Sequence, residues 1–263
     1  MDNTDQKLIN IYTEAYKFLS GKVSPEVLNT ELDHYSQYQP ASLNDIFRGM
    51  VISLKNKQGY KNFIANVDEM KEILRDFNPN EVVQTYGHDW ELLLDVFKDK
   101  FGANHKIDPT NNRNAWVIYS RGVLSCAKFI VNFNSVNDFD QFVKSFFYNE
   151  YTVAALPMLL DKEIFGFGFP LACDFLKEQG YTKYGKPDVH LIDIFTELAM
   201  VSERSEYEVF KTIVKIGKLV HKEPVVVDKI FWLIGSGYFN VSDVNIGRQK
   251  EKFIEYMKSN GFV

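Results

Sequence analysis

Two glycines and one aspartate are the residues of this chain whose types and spacing could do chemistry. Gly166 and Gly168 lie one residue apart in the run IFGFGFPLA, between two apolar segments. Asp188 follows Gly185 and Pro187 and stands directly before the apolar run VHLIDIF. Glycine amides beside a helix N-terminus can bind a phosphate. A carboxylate can stabilise developing positive charge or orient an attacking water. These residues predict an anion site and an acidic catalytic group.

Each of these features also has a purely structural interpretation. A Gly-x-Gly pair can serve only to reverse the chain between two helices, because glycine tolerates positive φ and close backbone approach. An aspartate directly before an apolar helix is a common N-cap, whose side chain accepts hydrogen bonds from the first free amides. The N-cap role is compatible with a catalytic one.

The elements that must position these residues are predicted to be helices. Apolar residues recur at three- and four-residue spacing through most of the chain, and no pair of alternating strands is evident. Predicted helical segments before the glycines include QKLINIYTEAYKFL, SPEVLNTELDHY, SLNDIFRGMVISLKN, GYKNFIANVDEMKEILRDF, NPNEVVQTY and DWELLLDVFKDKFG. Residues 103–114 are polar and predict an irregular segment. The predicted fold class is all-α.

The glycines themselves fall at a tight reversal. YTVAALPMLLDKEI and FPLACDFLKEQG each predict a helix, and only FGFG remains between them. Pro170 lies near the first turn of the second helix, where its missing N–H costs nothing. The sequence therefore predicts a helical hairpin whose glycine amides lie beside a helix N-terminus.

This combination resembles the helix-hairpin-helix DNA glycosylase superfamily, which includes endonuclease III. The family motif is Leu-Pro-Gly-Val-Gly-x-x-Thr-Ala, followed by a Gly/Pro-rich loop and Val-Asp-Thr-His. Residues 164–172 read IFGFGFPLA and residues 187–190 read PDVH, with 18 positions from Pro170 to Asp188 as in the family. The resemblance implies one glycosylase-like unit over residues 1–263, all-α, with two helical lobes and a cleft between them. One lobe is expected at about 40–150, and the hairpin-containing lobe at about 151–263, packed with the N-terminal helices 5–38.

The resemblance implies that Asp188 is the catalytic residue of a DNA glycosylase, which flips a damaged or modified base and hydrolyses its N-glycosidic bond. The N-terminal position of Asp188 on a helix is expected to favour its ionised form. His190 and Tyr184 are weaker candidates for orienting the loop or lining the base pocket. Residues expected to contact DNA are Gly166, Phe167, Gly168, Gln58, Lys57 and Lys186. For Gln58 and Lys57, a solvated basic turn between helices is an equal alternative.

Departures from the family pattern refine the expected activity. Bifunctional members carry a Schiff-base lysine where this chain has Pro170, so the resemblance implies a monofunctional enzyme without lyase activity. Cys126 and Cys173 are the only cysteines, so a four-cysteine iron–sulfur cluster is excluded, and both are expected to be buried thiols. In the family, hairpin carbonyls can hold Na+ or K+, which here would lie at the backbone of Ile164 and Gly166. Phe165 replaces the family's proline.

Charge weighs against the expected partner, which is double-stranded DNA carrying a damaged or modified base. The formal net charge is −5, whereas duplex binding depends on basic side chains that neutralise phosphates. Two alternatives therefore stay open: a catalytically inactive DNA-binding protein on the same scaffold, and a helical protein-interaction module. The chain start has no secretory signal pattern and no long apolar run, so a cytoplasmic protein is expected, nucleoid-associated if bacterial, with no membrane contact and a monomeric state.

Overall fold

The computed structural model of the chain describes residues 3–34, 38–57, 60 and 62–262. Within these residues the regular secondary structure is almost entirely α-helical, which confirms the all-α prediction. The α-helices are α1 (Asn3–Ser20), α2 (Pro25–Asp33), α3 (Leu43–Lys55), α4 (Pro79–Tyr86), α5 (Trp90–Phe101), α6 (Ala115–Ile130), α7 (Val136–Ser145), α8 (Glu150–Glu163), α9 (Phe169–Glu178), α10 (Val189–Glu197), α11 (Glu206–Val220), α12 (Pro224–Ser236) and α13 (Lys250–Ser259). Two short strands, β1 (Tyr238–Phe239) and β2 (Val244–Asn245), pair antiparallel, with Tyr238 opposite Asn245. The sequence did not predict this ribbon.

Contacts divide the chain into two compact units. The central unit spans Gln39–Phe175, and the terminal unit combines Met1–Tyr38 with Leu176–Val263. The sequence placed the end of the first lobe near residue 150, whereas the structure divides the chain inside α9. The central unit keeps the glycine hairpin because the hairpin packs on α6 of that unit, as the contacts below describe.

Helix α6 forms the centre of the central unit and packs against α3, α4 and α5. It is apolar around most of its circumference, as expected for a helix with neighbours on several sides. Trp116 is buried on α6, and its ring lies 5.4 Å from that of Phe97 and 5.5 Å from that of Phe101. The hydroxyl of Tyr119 donates a hydrogen bond to the carbonyl of Val51 on α3 (3.2 Å). This buried aromatic cluster fixes the helix on which the hairpin lies.

Helix α12 forms the centre of the terminal unit. It contacts α1, α2, α10, α11 and α13. Its sequence PVVVDKIFWLIGS is apolar except for two charged residues, and both are buried. Asp228 pairs with Lys177 (3.0 Å), and Lys229 pairs with Glu31 (2.8 Å). A buried charge is costly unless it is paired, so these two ion pairs fix how α12 packs against α9 and α2.

One predicted helix is wrong, and several predicted boundaries are confirmed. The stretch GYKNFIANVDEMKEILRDF, of which two residues lie outside the described part, contains short 3-10 turns at Val67–Met70 and Arg75–Phe77 instead of an α-helix. The reason is local, because Arg75–Phe77 has positive φ throughout, which no α-helix accommodates. The predicted cap Ser24 does accept a hydrogen bond from the amide of Val27 (3.3 Å), and residues 103–114 are irregular as predicted.

Both cysteines, Cys126 and Cys173, are buried free thiols, as predicted. Burial raises the pKa of the Cys126 thiol well above its usual range. Among the residues described, every helix is too short or too polar to cross a lipid bilayer.

Candidate active site

The glycine hairpin connects α8 to α9 through a turn of five residues. Gly166 has φ +86°, a conformation that side-chain-bearing residues rarely adopt. The amide of Phe167 donates to the carbonyl of Ile164 (3.2 Å), which closes the turn. The Phe167 ring is buried and lies 6.1 Å from that of Phe175. The reversal is therefore held by one glycine in a left-handed conformation and one buried aromatic anchor.

These contacts correct one expectation about the hairpin. The sequence assigned the amides of Gly166, Phe167 and Gly168 to phosphate binding, but the Phe167 amide is already used inside the turn. The amides of the two glycines have no acceptor among the residues described. A phosphate at this hairpin would therefore be bound by the two glycine amides and not by the residue between them.

Gly168 differs from Gly166 in a way that bears on function. Its φ lies outside the left-handed region, and a Cβ added there would meet only the Cδ of Pro170, at 3.9 Å. Neither backbone conformation nor packing therefore requires glycine at this position. A glycine that the fold does not need is consistent with a surface to which another molecule's backbone comes close.

Helix α6 packs against the hairpin and binds its backbone. The hydroxyl of Ser125 accepts a hydrogen bond from the amide of Phe165 (3.0 Å) and donates to the carbonyl of Glu163 (3.4 Å). At Gly122, an added Cβ would lie 2.9 Å from the carbonyl oxygen of Phe165 and 3.0 Å from the Leu54 methyls. The close approach of α6 to the hairpin therefore depends on a small residue at position 122.

Asp188 caps α10, as its position in the sequence predicted. Its Oδ1 accepts hydrogen bonds from the amides of His190 (2.9 Å) and Leu191 (3.3 Å). Its Oδ2 has no hydrogen-bond partner among the described residues, and the side chain is half-buried. One carboxylate oxygen is thus fixed by the helix, while the other remains available to a reactant.

The protonation of Asp188 differs from the expectation drawn from its helix N-terminus. Burial, and then the negative charge of Asp228, raise the pKa of Asp188 above its usual value. His190, Lys186 and the Leu191 amide lower this pKa, but they do not outweigh the other two effects. The net direction is opposite to the one expected, because a helix N-terminus alone does not compensate for desolvation and a second carboxylate.

Asp228 is the residue of this site that the sequence reasoning missed. It is 1% exposed, and its Oδ2 accepts from the Lys177 ammonium (3.0 Å) and from the backbone amide of Lys186 (2.8 Å). Its Oδ1 is buried without a hydrogen-bond partner in the described part of the chain. The available signal was an acidic residue inside the apolar run PVVVDKIFW.

The remaining predicted residues have mixed outcomes. His190 packs on α12 at Gly235, where an added Cβ would lie 2.5 Å from the His190 Cβ, so it helps to fix the start of α10. Tyr184 is fully buried and lies 6.4 Å from the ring of Phe210, so its side chain does not line an exposed surface, contrary to the suggested pocket role. The Lys57 ammonium lies over the Tyr60 ring (5.5 Å).

Two further predicted DNA contacts have different outcomes. Lys186 is half-buried, and its backbone amide binds Asp228. Gln58 lies outside the described residues, so its predicted role stays a prediction.

The fold is similar to that of a solved protein–DNA complex. The crystal structure of 8-oxoguanine glycosylase/lyase from Methanocaldococcus jannaschii, in complex with a 15mer DNA containing 8-oxoguanine, superposes with a TM-score of 0.54 at 16% identity. The match covers 86% of this chain and 96% of the other. No family model matches the sequence, and no curated protein matches it significantly. The fold expected from the resemblance is thus shared with this solved structure.

Asp228→Asn is expected to lower the pKa of Asp188 and to destabilise the protein. The substitution removes a negative charge that raises this pKa, and it leaves Lys177 without its buried counter-charge. Breaking a buried ion pair from one side costs about 3–5 kcal/mol. NMR titration of 13C-labelled aspartate carboxyls would measure the pKa, and urea unfolding would measure the free energy of unfolding.

Glu31→Gln is the matched control, because it breaks the other buried ion pair of α12, with Lys229. Glu31→Gln should lower the free energy of unfolding by a comparable amount and leave the pKa of Asp188 unchanged. An Asp188 titration that is the same in wild type and Asp228→Asn would refute the electrostatic coupling.

Proposed function

We propose that this protein is a DNA glycosylase that extrudes a damaged or modified base and hydrolyses its bond to deoxyribose. The fold likeness to a glycosylase/lyase bound to DNA supports the class. The observation that carries the proposal is Gly168, a glycine that the fold does not require, beside two hairpin amides with no acceptor among the described residues. An inert corner between helices would not need glycine there.

In this proposal, the amides of Gly166 and Gly168 bind a backbone phosphate, and the N-terminus of α9 adds its favourable dipole. This contact fixes the register of the strand but carries no sequence information. The carbonyls of Ile164 and Gly166 would hold a monovalent cation. Since a carbonyl oxygen has two lone pairs, the hydrogen bond from Phe167 still leaves one on Ile164 for such an ion. The cation would supply positive charge beside the phosphate.

Asp188 is proposed to act on the sugar. As the bond between C1′ and the base nitrogen breaks, the electron pair leaves with the base and C1′ becomes cationic. The free Oδ2 of Asp188 stabilises this charge and accepts a proton from the water that attacks C1′. A raised pKa makes the carboxylate a stronger base than an ordinary aspartate, which suits this proton transfer. The fixed Oδ1 keeps the group oriented.

Hydrolysis without strand cleavage is the proposed outcome. A lyase needs an unprotonated amine to attack C1′, and the position that supplies this amine in bifunctional relatives is Pro170. Lys177, on the same helix, is a buried ammonium 3.0 Å from the Asp228 carboxylate. This ion pair holds the Lys177 nitrogen against the Asp228 carboxylate. Water is therefore the proposed nucleophile.

Asp188→Asn is expected to reduce base release by about 10²–10⁴-fold, the usual contribution of a positioned acid–base group, with duplex binding retained. Stability should rise at neutral pH. Because its pKa is raised, Asp188 binds its proton more tightly in the folded protein than in the unfolded chain. Ionisation of Asp188 as the pH rises therefore destabilises the fold, whereas asparagine does not ionise and carries no such cost. Base release is measured on duplexes carrying oxidised, alkylated and deaminated bases, beginning with 8-oxoguanine. Stability is measured by thermal unfolding.

Asp193→Asn is the matched control on the same helix. Burial tends to raise the pKa of Asp193, but Lys250 and Arg204 hold it below its usual value. Its loss should therefore lower stability at neutral pH and leave release intact. Turnover that survives Asp188→Asn would overturn the catalytic assignment. Duplex binding without release on any of these bases would favour an inactive DNA-binding protein on the same scaffold.

Gly168→Ala should weaken duplex binding by about ten- to a hundredfold, which corresponds to one or two charge-assisted hydrogen bonds, without lowering stability. The added methyl fits the fold but occupies the surface that a phosphate would approach. Gly166→Ala is the contrast, since a residue forced to φ +86° costs about 1–2 kcal/mol. Fluorescence anisotropy measures duplex affinity and thermal unfolding measures stability, so together they distinguish the two variants. Unchanged duplex affinity in Gly168→Ala would refute the proposed phosphate site.

Borohydride reduction should trap no covalent complex between the wild-type protein and a duplex with an abasic site. The reagent reduces a Schiff base, and Pro170 cannot form one. Pro170→Lys places an amine at the position used by bifunctional relatives and serves as the positive control. Trapping by the wild type, abolished by Lys177→Gln, would instead make the protein a lyase with a relocated amine.

A further inference from the structure

An arginine beside the hairpin has no role in the proposed chemistry. Arg121 lies on α6, and its guanidinium carbon is 3.9 Å from the ring centroid of Phe165 and 5.6 Å from that of Trp90. Phe165 is 39% exposed and directly precedes Gly166 in the chain. In the described part of the protein, no carboxylate pairs with this guanidinium. A cation is thus stacked next to the amides proposed to bind phosphate.

Arg121 belongs to a polar face of α6 that supports the hairpin. Arg121, Ser125 and Lys128 recur at spacings of four and three, so they share one side of the helix. Ser125 is the residue that binds the Phe165 amide (3.0 Å). The Lys128 ammonium contacts the Nδ1 of His88 (2.8 Å). The side of α6 that holds the hairpin therefore carries two cations with no acidic partner among the residues described.

The stacking geometry suits a phosphate ligand. A guanidinium lying on an aromatic face keeps its N–H donors free at its edge, where a bidentate contact to phosphate oxygens forms. The stack also reduces the rotamer freedom that an arginine would lose on binding. The last turn of α8 carries two acidic residues: Asp161, which is paired with Lys162 (3.1 Å), and Glu163, which directly precedes the hairpin. Arg121 and Lys128 supply the positive charge that would attract an anionic ligand to this position.

We propose that Arg121 binds a DNA backbone phosphate adjacent to the one held by the hairpin glycines, and that Phe165 holds its guanidinium in place. This inference rests on the proposed function, since it assumes a duplex on the hairpin. It assigns Phe165 a purpose where the family motif has proline. It also supplies local positive charge in a chain whose net charge is −5.

Salt-dependent binding tests the inference directly. Duplex affinity is measured by anisotropy between about 50 and 200 mM KCl, where each neutralised phosphate contributes about 0.9 to the slope of log K against log salt. Arg121→Ala should weaken binding about ten- to a hundredfold and reduce the slope by about one. Arg121→Lys and Phe165→Leu keep the charge, so each should keep the wild-type slope while lowering affinity by a smaller factor.

Arg48→Ala is the matched control. Arg48 also lies over an aromatic ring, that of Phe77 (5.8 Å), but it is paired with Asp68 (2.6 Å). Its loss should leave affinity and slope close to the wild type. If Arg121→Ala behaves like Arg48→Ala while the wild type binds and releases a base, the inference fails and the proposed function stands.

Two further outcomes keep the tests separate. If the wild type shows no salt-dependent duplex binding, the proposed function fails and the inference fails with it. If Arg121→Ala does not fold by circular dichroism, Arg121→Lys and Phe165→Leu decide: wild-type affinity in both overturns the inference, and reduced affinity at unchanged slope supports it.

Discussion

In the terminal unit, the geometry around Asp188 depends on the contacts of one buried carboxylate, that of Asp228. Taking a charge out of water is costly, and its partners must compensate for that cost. Here they are the ammonium of Lys177 and the backbone amide of Lys186. The second contact fixes the loop before α10 to α12. Gly185 shows how tight this is, because an added Cβ would lie 3.1 Å from the Cβ of Asp228.

The same carboxylate sets the electrostatics of Asp188. Two aspartates of one short stretch have opposite pKa shifts: burial and Asp228 raise the pKa of Asp188, while Lys250 and Arg204, acting against burial, hold the pKa of Asp193 low. Asp193 is an ordinary ion-paired surface group that adds stability. Asp188 is held in a state that costs stability, and such conflicts concentrate at functional sites. The contrast is a physical reason to separate the two roles.

The sequence predicted the helices and the hairpin because these depend on local patterns. The 3.6-residue periodicity, the caps at Ser24 and Asp188, and the glycine reversal are all visible within a few neighbouring residues. What the sequence could not supply arises between distant segments. Asp228 lies 40 residues after Asp188, so neither its contact with the loop nor its effect on the pKa follows from spacing.

The errors include local ones. The Phe167 amide was assigned to a phosphate because a motif does not show which amides the turn itself consumes. The helix expected across residues 59–77 was wrong, and the positive φ at Arg75–Phe77, which no α-helix accommodates, is not visible in the periodicity. The role of α6 as support for the hairpin depends on Gly122 and Ser125, which look unremarkable in the sequence.

The acidic net charge is a weaker argument against DNA than it first appears. Charges farther away than about 8 Å are largely screened at physiological ionic strength, so a local surface is governed by its own groups. Beside the hairpin, these groups are two glycine amides, Arg121 and Lys128, together with Glu163, whose carbonyl is bound by Ser125. An arginine stacked on an exposed ring also occurs at protein interfaces. The glycine at position 168, which the fold does not require, is therefore the feature that separates the proposed phosphate contact from a protein-interaction module.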